Sequence, residues 1–502
     1  MGKIEFNIGQ GGLGRPLAGK DYYSGFLFDS AVYPSGFSAS EPIQFIGSLK
    51  DAENLGIVND GTGETVATGG SIEFTAVGAA GDVWTISIKS PRMKEAIELA
   101  TVIEGASETP TTFATRVAAA INARTNVHGF TASAALAVVS LVMAPNWGAA
   151  FNTAGLAAAS TGAGTATITQ FDSGVASDLS LMHYHISEFF DKEPKGFLWF
   201  GVYDESGGLD AQDILDISIE SDGEIRQIAV FLKTSWSSAD LAVIQTAIET
   251  LQTEYKRMSA VYAADQLGDT LSDLADMRAL LYDRVSVCIG QDGGSEGWRL
   301  VDVFGLSISS IGACLGTIAA AAVHENIGWV AQFNLAAIEM ETLSFTTGDQ
   351  NKAVSSNTLD LLANRGYIFA RKYVGKSGSY WNDSPVCISE SNDYAYIENG
   401  RTIDKAIRNV NVALTDYINS PLYVDPESGQ LTELTISNIK NAASVPLENM
   451  ENDGNLSGFE VVIDPTQNVL STSKIELTLK LVPVGVAREI VVNIGYTISL
   501  SE

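Results

Sequence analysis

The sequence is short of cysteine, histidine and basic residues, and each shortage excludes a class of protein. It holds three cysteines, Cys288, Cys314 and Cys387, and four histidines among 502 residues. An odd and widely spaced cysteine set predicts neither a disulfide framework nor a zinc site, and it favours buried thiols in a reducing compartment. Thirty lysines and arginines against sixty aspartates and glutamates give a net charge of −30. Such a surface repels phosphate backbones, so we expect no nucleic-acid partner.

Long apolar runs and targeting signals are also lacking. The longest apolar run, from Ile308 to Val323, is rich in glycine, serine and alanine and is too short to cross a bilayer. It predicts a buried helix. The first residues show no basic segment followed by an apolar stretch, so we expect no signal peptide and no direct insertion into a membrane.

Motifs for cofactor binding are sparse. Gly9–Gly14 (GQGGLG) has the spacing of a dinucleotide fingerprint after a strand, but Arg15 and Pro16 follow where a helix would have to begin. We interpret this glycine-rich stretch as a hinge. Gly375–Ser377 (GKS) has the ending of a phosphate loop, yet Ala370 stands where that loop needs glycine. We therefore expect no cofactor-binding residues.

Candidate metal ligands and catalytic carboxylates are equally weak. His183 and His185 flank Tyr184, and on a strand both would point to one side, as a pair of metal ligands does. Glu188 and Asp191 are near but complete no ligand spacing, so a packed histidine pair is the favoured interpretation. A carboxylate-based hydrolase stays open as an alternative because sixty acidic residues contain pairs by chance. We expect a protein that is not an enzyme, with no catalytic residue, metal or cofactor.

The two ends of the chain carry the clearest pattern. Apolar residues occupy every second position in one segment at each end: Ile4, Phe6, Ile8, Ile490, Val492, Ile494, Tyr496 and Ile498. A period of two predicts half-buried strands. Both strands can close the protein's own sheet, or each can join the sheet of a neighbouring copy by strand addition. The pattern alone leaves both interpretations open.

Between the ends, composition and periodicity predict an α+β multidomain chain. Continuous apolar runs such as Phe197–Val202 predict strands covered by helices on both faces. Segment 401–419 predicts an amphipathic helix capped by Thr402, and strands follow at 474–482 and 488–500. The expected organisation is an N-terminal arm (1–20), a middle α/β layered domain (21–59 and 174–365), an inserted small βαββ module (60–173), a C-terminal α/β domain (366–487) and a C-terminal strand arm (488–502).

The order of the C-terminal elements, with arginines opening a helix and a final pair of strands, resembles the C-terminal domain of contractile tail sheath proteins. Those proteins form phage tails and related contractile injection systems. The similarity extends upstream to Ile308–Ile338, which looks like the family's small-residue helix followed by a Gly-Trp segment. The βαββ segment is similar to a module inserted in some phage tail sheath proteins, where it decorates the outer surface.

The resemblance implies a structural subunit that stacks as six-membered rings along a helical path around an inner tube. Contraction would drive that tube through a target envelope. Terminal arms would weave into the sheets of neighbouring copies, with Gly9–Gly14 and Val484–Val486 as hinges. Implied partners are further copies, the inner tail tube protein, and baseplate and tail terminator proteins, in a virion tail or contractile particle assembled in the bacterial cytoplasm.

The same resemblance makes the helix face of Arg401, Lys405 and Arg408 a candidate surface for an acidic tube. A solvated helix face explains these three residues equally well. Two other functions also stay open. A secreted or surface adhesin of β-rich modules accounts for the Ala-, Thr- and Gly-rich insertion, and another virion structural protein shares the logic of assembly.

Overall fold

The computed structural model describes residues 21–90, 95–144, 148–152, 155–335 and 343–496 of the chain. The strands are β1 (Tyr23–Asp29), β2 (Ile43–Ile46), β3 (Ser71–Ala76), β4 (Val83–Lys89), β5 (Ile97–Ile103), β6 (Thr131–Ala135), β7 (Val138–Val142), β8 (Gly155–Ser160), β9 (Thr165–Thr169), β10 (Phe197–Tyr203), β11 (Gln227–Ser235), β12 (Ser259–Asp265), β13 (Val285–Cys288), β14 (Gly290–Asp292), β15 (Leu343–Phe345), β16 (Tyr367–Ile368), β17 (Ala370–Arg371), β18 (Tyr380–Trp381), β19 (Gly458–Ile463) and β20 (Leu477–Val482).

The helices are α1 (Leu49–Asn54), α2 (Pro110–Asn122), α3 (Thr125–His128), α4 (Asp178–Lys192), α5 (Ala211–Glu220), α6 (Ser238–Thr253), α7 (Ser295–Phe304), α8 (Ile311–Ala320), α9 (Ser356–Asn364), α10 (Ile397–Thr415), α11 (Glu433–Asn452) and α12 (Val469–Thr472). The chain divides into two compact units. The second unit takes Ala321–Asn326 and the residues from Glu398 onward, and the first unit takes the rest.

The first unit is built on a sheet whose strands lie in the order β16-β13-β12-β11-β1-β10-β2. These strands run parallel, except that β2 is antiparallel to β10. Phe26 and Phe28 of β1 lie on the face covered by α4, whereas Leu27 packs into the core with α5 and α6. Because parallel strands need crossover connections, helices cover both faces. The apolar runs that predicted two-sided burial are β10 and β11.

Helices α4 and α8 approach closely through glycine. A Cβ atom on Gly312 of α8 would lie 2.2 Å from the backbone oxygen of His185, and one on Gly316 would lie 2.6 Å from that of Phe189. Real Cβ atoms do not approach a backbone oxygen this closely. The two glycines are four residues apart, so they share one face of α8 and let the two backbones touch.

We expect Gly312→Ala to destabilise the first unit. Alanine favours helix by about 1 kcal/mol over glycine, but overpacking typically costs 1–3 kcal/mol, roughly, and here the obstacle is backbone. A net loss of about 2 kcal/mol should lower the urea midpoint of unfolding. Gly207→Ala is the control because its Cβ would meet nothing within 4 Å. A Gly312→Ala midpoint equal to that of the native protein would contradict the close approach.

The inserted module has its own core and two antiparallel sheets, in the orders β6-β7-β3-β9 and β5-β4-β8. It therefore has more strands than the βαββ pattern predicted: β4, α2, β6 and β7 correspond to that pattern, and β3, β5, β8 and β9 lie outside it. Val303 of α7 is buried in the module's core, and Asp302 is hydrogen bonded to Ser90. The module is thus packed on α7.

Side-chain amides complete backbone pairing at the edges of the module's sheets. Asn122 donates to the carbonyl of Ala132 (2.8 Å) and accepts from its N–H (2.7 Å). Gln170 likewise donates to the carbonyl of Leu156 (3.0 Å) and accepts from its N–H (2.8 Å). Each amide imitates one residue of a neighbouring strand, which blocks further pairing at that point of the edge.

The boundary of the C-terminal domain differs from the expected residue 366. Strand β16 pairs with β13 of the main sheet. Arg278 donates to the carbonyl oxygens of Val386, Ile388 and Ala395 at 3.4, 3.2 and 2.9 Å. Residues 366–397 therefore belong to the first unit, and the longer segment of the second unit begins at Glu398.

Candidate functional site

The second unit ends in an antiparallel hairpin of β19 and β20, paired from Gly458↔Val482 to Ile463↔Leu477. Alternate residues face the helices, so that Val461 is buried while three leucines of β20 are only half-buried: Leu477, Leu479 and Leu481. In the part of the chain that the structure describes, neither strand pairs with a third strand. Both outer edges of the hairpin are thus available for strand addition.

Helices α10 and α11 support this hairpin. Thr432 caps α11 by accepting a hydrogen bond from the N–H of Thr435, which satisfies a free donor of the first turn. Apolar residues of both helices form the core with Val461: Ala406, Val410, Ala443, Leu447 and Met450. The sequence reading missed α11 and also placed the start of α10 at Thr402. Thr402 lies inside α10, which begins at Ile397, and its hydroxyl donates to the carbonyl of Val323 (3.3 Å).

An open groove of about 660 Å³, lined by both polar and apolar side chains, lies at the start of β20. The end of α10, the middle of α11 and the chain leading into β20 form its walls, with these apolar side chains among the lining: Leu414, Tyr417, Ile418, Ile439, Ile475 and Leu477. Ile418 is 69% exposed. Exposed apolar side chains such as Ile418, next to a strand edge that is unpaired within the described residues, are typical of a surface that another chain covers.

The C-terminal arm leaves this domain after β20. Residues 489–496 lie in no strand, and four of the predicted arm residues are almost fully exposed: Ile490, Val492, Ile494 and Tyr496. The other four, Ile4, Phe6, Ile8 and Ile498, lie outside the described residues. Within residues 489–496, the arm therefore does not close the protein's own sheet. Pairing with another copy stays a prediction.

The proposed basic helix face is mostly inside the protein. Arg401 is 4% exposed and donates to the carbonyl oxygens of Ala321 (3.1 Å) and Ala322 (3.4 Å). Lys405 is also buried, and Arg408 is half-buried. Arg401 and Lys405 are thus not surface cations, because the polar side of α10 is covered as well as the apolar side. Contact with a tube stays a prediction for Arg408.

The structure places the histidine pair on a helix. His183 and His185 lie on helix α4, not on a strand, so neighbouring side chains point in different directions. His185 is fully buried among Phe26, Phe28 and Phe231, and its burial lowers its pKa to about 3. Among the described residues, no three His, Cys, Asp or Glu side chains are arranged to hold a metal ion.

The two remaining sequence candidates are placed as follows. Gly375–Ser377 forms an exposed turn between β17 and β18 with no helix after it, so it cannot cradle a phosphate at a helix N-terminus. Gly9–Gly14 lies outside the described residues.

All three cysteines are buried free thiols, as predicted, and burial raises the pKa of Cys387 to about 12. Among the described helices, none combines the length and apolar character needed to span a bilayer.

Sequence reasoning missed a cluster of acidic side chains, Glu205, Asp29 and Asp213, at the carboxyl edge of the main sheet. Glu205 follows β10 and is 1% exposed, and its Oε2 accepts a hydrogen bond from the N–H of Asp210 (3.0 Å). The Asp29 carboxylate at the end of β1 accepts from the N–H of Glu205 (3.1 Å) and of Lys233 (2.9 Å). Parallel strands bring these carboxylates together because their carboxyl ends share one edge.

Burial, together with the neighbouring Asp213 carboxylate, raises the pKa of Glu205 to about 8. Burial also raises the pKa of Asp213. A pKa of about 8 leaves Glu205 mostly protonated at neutral pH, beside the Asp213 carboxylate. A pair of adjacent acidic groups is invisible in the sequence because strand β10 and helix α5 supply them separately.

The described residues define a multidomain α/β protein with a doubly wound central sheet, a β-rich inserted module and a separate domain of two helices and a hairpin. The chain belongs to the DUF2586 family. The family's N-terminal domain matches residues 1–385, and its C-terminal domain matches residues 393–501. No curated protein matches the chain.

Three solved structures resemble this one. A chain of the anti-feeding prophage (AFP) baseplate has 17% identity and a TM-score of 0.44, over 66% of this chain and 85% of that chain. A chain of the PVC sheath complex, an extracellular contractile injection system in the contracted state, has 13% identity and a TM-score of 0.44, over 63% of this chain and 80% of that chain. The sheath tail protein from Desulfitobacterium hafniense has 12% identity and a TM-score of 0.37, over 96% of this chain and 100% of that chain. We base the functional proposal on this chain's own residues.

Proposed function

We propose that this chain is the structural subunit of a contractile tail sheath. Copies would polymerise through their arms as stacked six-membered rings around an inner tube and contract to drive the tube through a target envelope. The observation that carries the proposal is an arm of alternating apolar residues, exposed from Ile490 to Tyr496, in a domain whose hairpin pairs with no third strand among the described residues.

The arm and the hairpin match each other chemically. Side chains on alternate arm positions lie on one side of an extended chain, with the same period as the half-buried leucines Leu477, Leu479 and Leu481 of β20. A strand added along β20 would cover these leucines and satisfy the open backbone edge. Since the arm lies in no strand of its own chain between residues 489 and 496, the partner is the β20 edge of a second copy.

One arm donated and one edge receiving make a head-to-tail interface, which generates a ring or a helical filament and not a closed dimer. Ile4, Phe6 and Ile8 carry the same period and would join the β19 edge of a further copy. Each copy would then donate one strand to each of two neighbours and receive strands on both edges of its own hairpin. The inner tube, baseplate and terminator proteins are the remaining partners in this proposal.

Electron microscopy of the concentrated full-length protein tests the proposal. We expect hollow tubes with a six-fold helical repeat, because one subunit with a donated arm and a receiving edge contains everything a filament needs. Dispersed particles, both alone and with the tube protein, would contradict it and favour the adhesin, to which the Ala-, Thr- and Gly-rich inserted module is suited.

A further inference from the structure

The root of the C-terminal arm is held by an ion pair whose carboxylate is buried. Arg488 lies between β20 and the arm, and its Nη2 is 2.5 Å from Oε1 of Glu398. Asn326 donates to the same oxygen at 3.1 Å. Glu398 lies in the first turn of α10 and is 2% exposed, whereas the Arg488 side chain is 31% exposed.

Burial of the carboxylate makes this pair different from the ion pair that joins the two strands of the hairpin. Lys480 and Glu460 are 2.8 Å apart across β20 and β19, but both side chains are mostly exposed. An exposed pair is screened by water and holds its partners weakly. The Glu398 carboxylate has little water around it, so a charge-assisted hydrogen bond from a guanidinium holds Arg488 much more firmly.

The chain just before Arg488 is also fixed at its other end. Val482 closes the β20 ladder, and its carbonyl accepts from the N–H of Ser457 (2.9 Å). The hydroxyl of Ser457 donates to the carbonyl of Pro483 (3.0 Å). Residues 484–487 therefore bridge two anchored points, and the exposed arm begins only beyond the second of them.

We propose that Arg488, Glu398 and Asn326 form the fixed root of the C-terminal arm, so that the arm pivots at Glu489 and not at Val484–Val486. Arg488 is thus a positioning residue. The pair stays closed when the arm docks on a second copy. The arm's destination rests on the proposed sheath function, whereas its fixed root is a property of the single chain.

A fixed root has a consequence for assembly. Ordering a free residue costs about 1–2 kcal/mol, so a segment that is already ordered lowers the entropy that docking must overcome. It also confines the arm to one region around the domain. Extended at 3.3–3.6 Å per residue, the eight residues 489–496 reach about 27 Å from Arg488. The receiving edge on the second copy must lie within that distance of the root plus the remaining arm.

Nitroxide labels measure the root directly in the full chain. The native cysteines are buried, so a cysteine introduced at the exposed Ala487 or Asn493 is labelled selectively. In the unassembled protein, we expect the nitroxide at 487 to reorient slowly and the nitroxide at 493 to reorient rapidly. Glu398→Gln should speed the label at 487 to the rate seen at 493. This variant removes the buried charge together with the ion pair, so it is suited to retain the fold.

Arg488→Gln is the reciprocal variant, and Lys480→Gln is the matched control, which should leave the label at 487 unchanged. Loosening the root should also raise the concentration needed for assembly about ten-fold, which is the equivalent of 1.4 kcal/mol. A label at 487 that is fast in the native protein, or equally slow in folded Glu398→Gln, would overturn the proposal. If the root behaves as expected and no tubes form, the sheath function fails and the fixed root stands.

Discussion

Deleting residues 489–502 should leave a folded, monodisperse protein that no longer forms tubes. The deleted segment starts beyond Arg488, so the hairpin, its helical support and the ion pair to Glu398 all remain. The described part of the segment, 489–496, contributes no strand to its own chain and is exposed. Its loss therefore removes a donated strand without removing a core element. Sedimentation and electron microscopy at matched concentration measure the effect.

Substitutions within the arm distinguish a strand that pairs with another sheet from a tail that associates only through nonspecific apolar contact. Val492→Asn with Ile494→Asn places amides on the face that would cover the β20 leucines, and we expect assembly to be lost. Val491→Asn with Asn493→Ser is the matched control on the opposite face, and it should still assemble. Normal tubes from the deletion, or equal loss from both pairs of substitutions, would rule out strand addition by this arm.

The sheet of the first unit was predictable because its strands are buried on both faces. Such strands appear as continuous apolar runs, as in Phe197–Val202, and the chain around them needs no further information to be recognised. Helix α6 was predictable for a similar reason, since its apolar residues follow the helical period. These signals are local, and local signals survive in a single sequence.

Elements that depend on distant partners were missed. Strand β8 is made of glycine, leucine, alanine and serine and forms a sheet only because β4 pairs with it from some seventy residues away. Helix α11 contains Pro446, which normally disfavours a helix interior by about 3 kcal/mol. Burial of Ala443, Leu447 and Met450 against α10 outweighs that cost.

The candidate site was predictable only in its exposed half. The alternation of the arm is visible in the sequence, whereas the edge it would join needs the pairing of β19 with β20. Charge on a helix was misleading, because Arg401 satisfies backbone carbonyls inside the protein instead of facing a partner. The pairing of Arg488 with Glu398 spans ninety positions and has no signal in the sequence.

Replacing Glu205 by glutamine should make the protein more stable at alkaline pH than the native chain. The pKa of Glu205 is about 8 in the folded protein against an ordinary value of 4.5. Between these two pH values, the folded protein keeps a proton that the unfolded chain has released. The stabilisation is therefore complete below about pH 4.5, falls as the pH rises, and is lost above about pH 8.

Each pH unit in that window lowers the free energy of unfolding by up to about 1.4 kcal/mol. Glutamine imitates the protonated acid, since its amide oxygen can accept from Asp210 and its NH₂ can donate to Asp213. Glu205→Gln should therefore match the native protein at pH 5 and exceed it by on the order of 3 kcal/mol at pH 8.5. Urea unfolding across this range measures the difference.

Asp204→Asn is the matched control for this prediction, since Asp204 is the neighbouring acid and is exposed. Hydrogen bonds from Ser206 lower the pKa of Asp204, so it stays ionised throughout the range and should add no slope between pH 5 and pH 8.5. Parallel stability curves for Glu205→Gln and the native protein would mean that Glu205 is ionised in the fold. The carboxyl edge of the main sheet would then hold a charged pair, and acidic repulsion, not a shared proton, would govern this part of the domain.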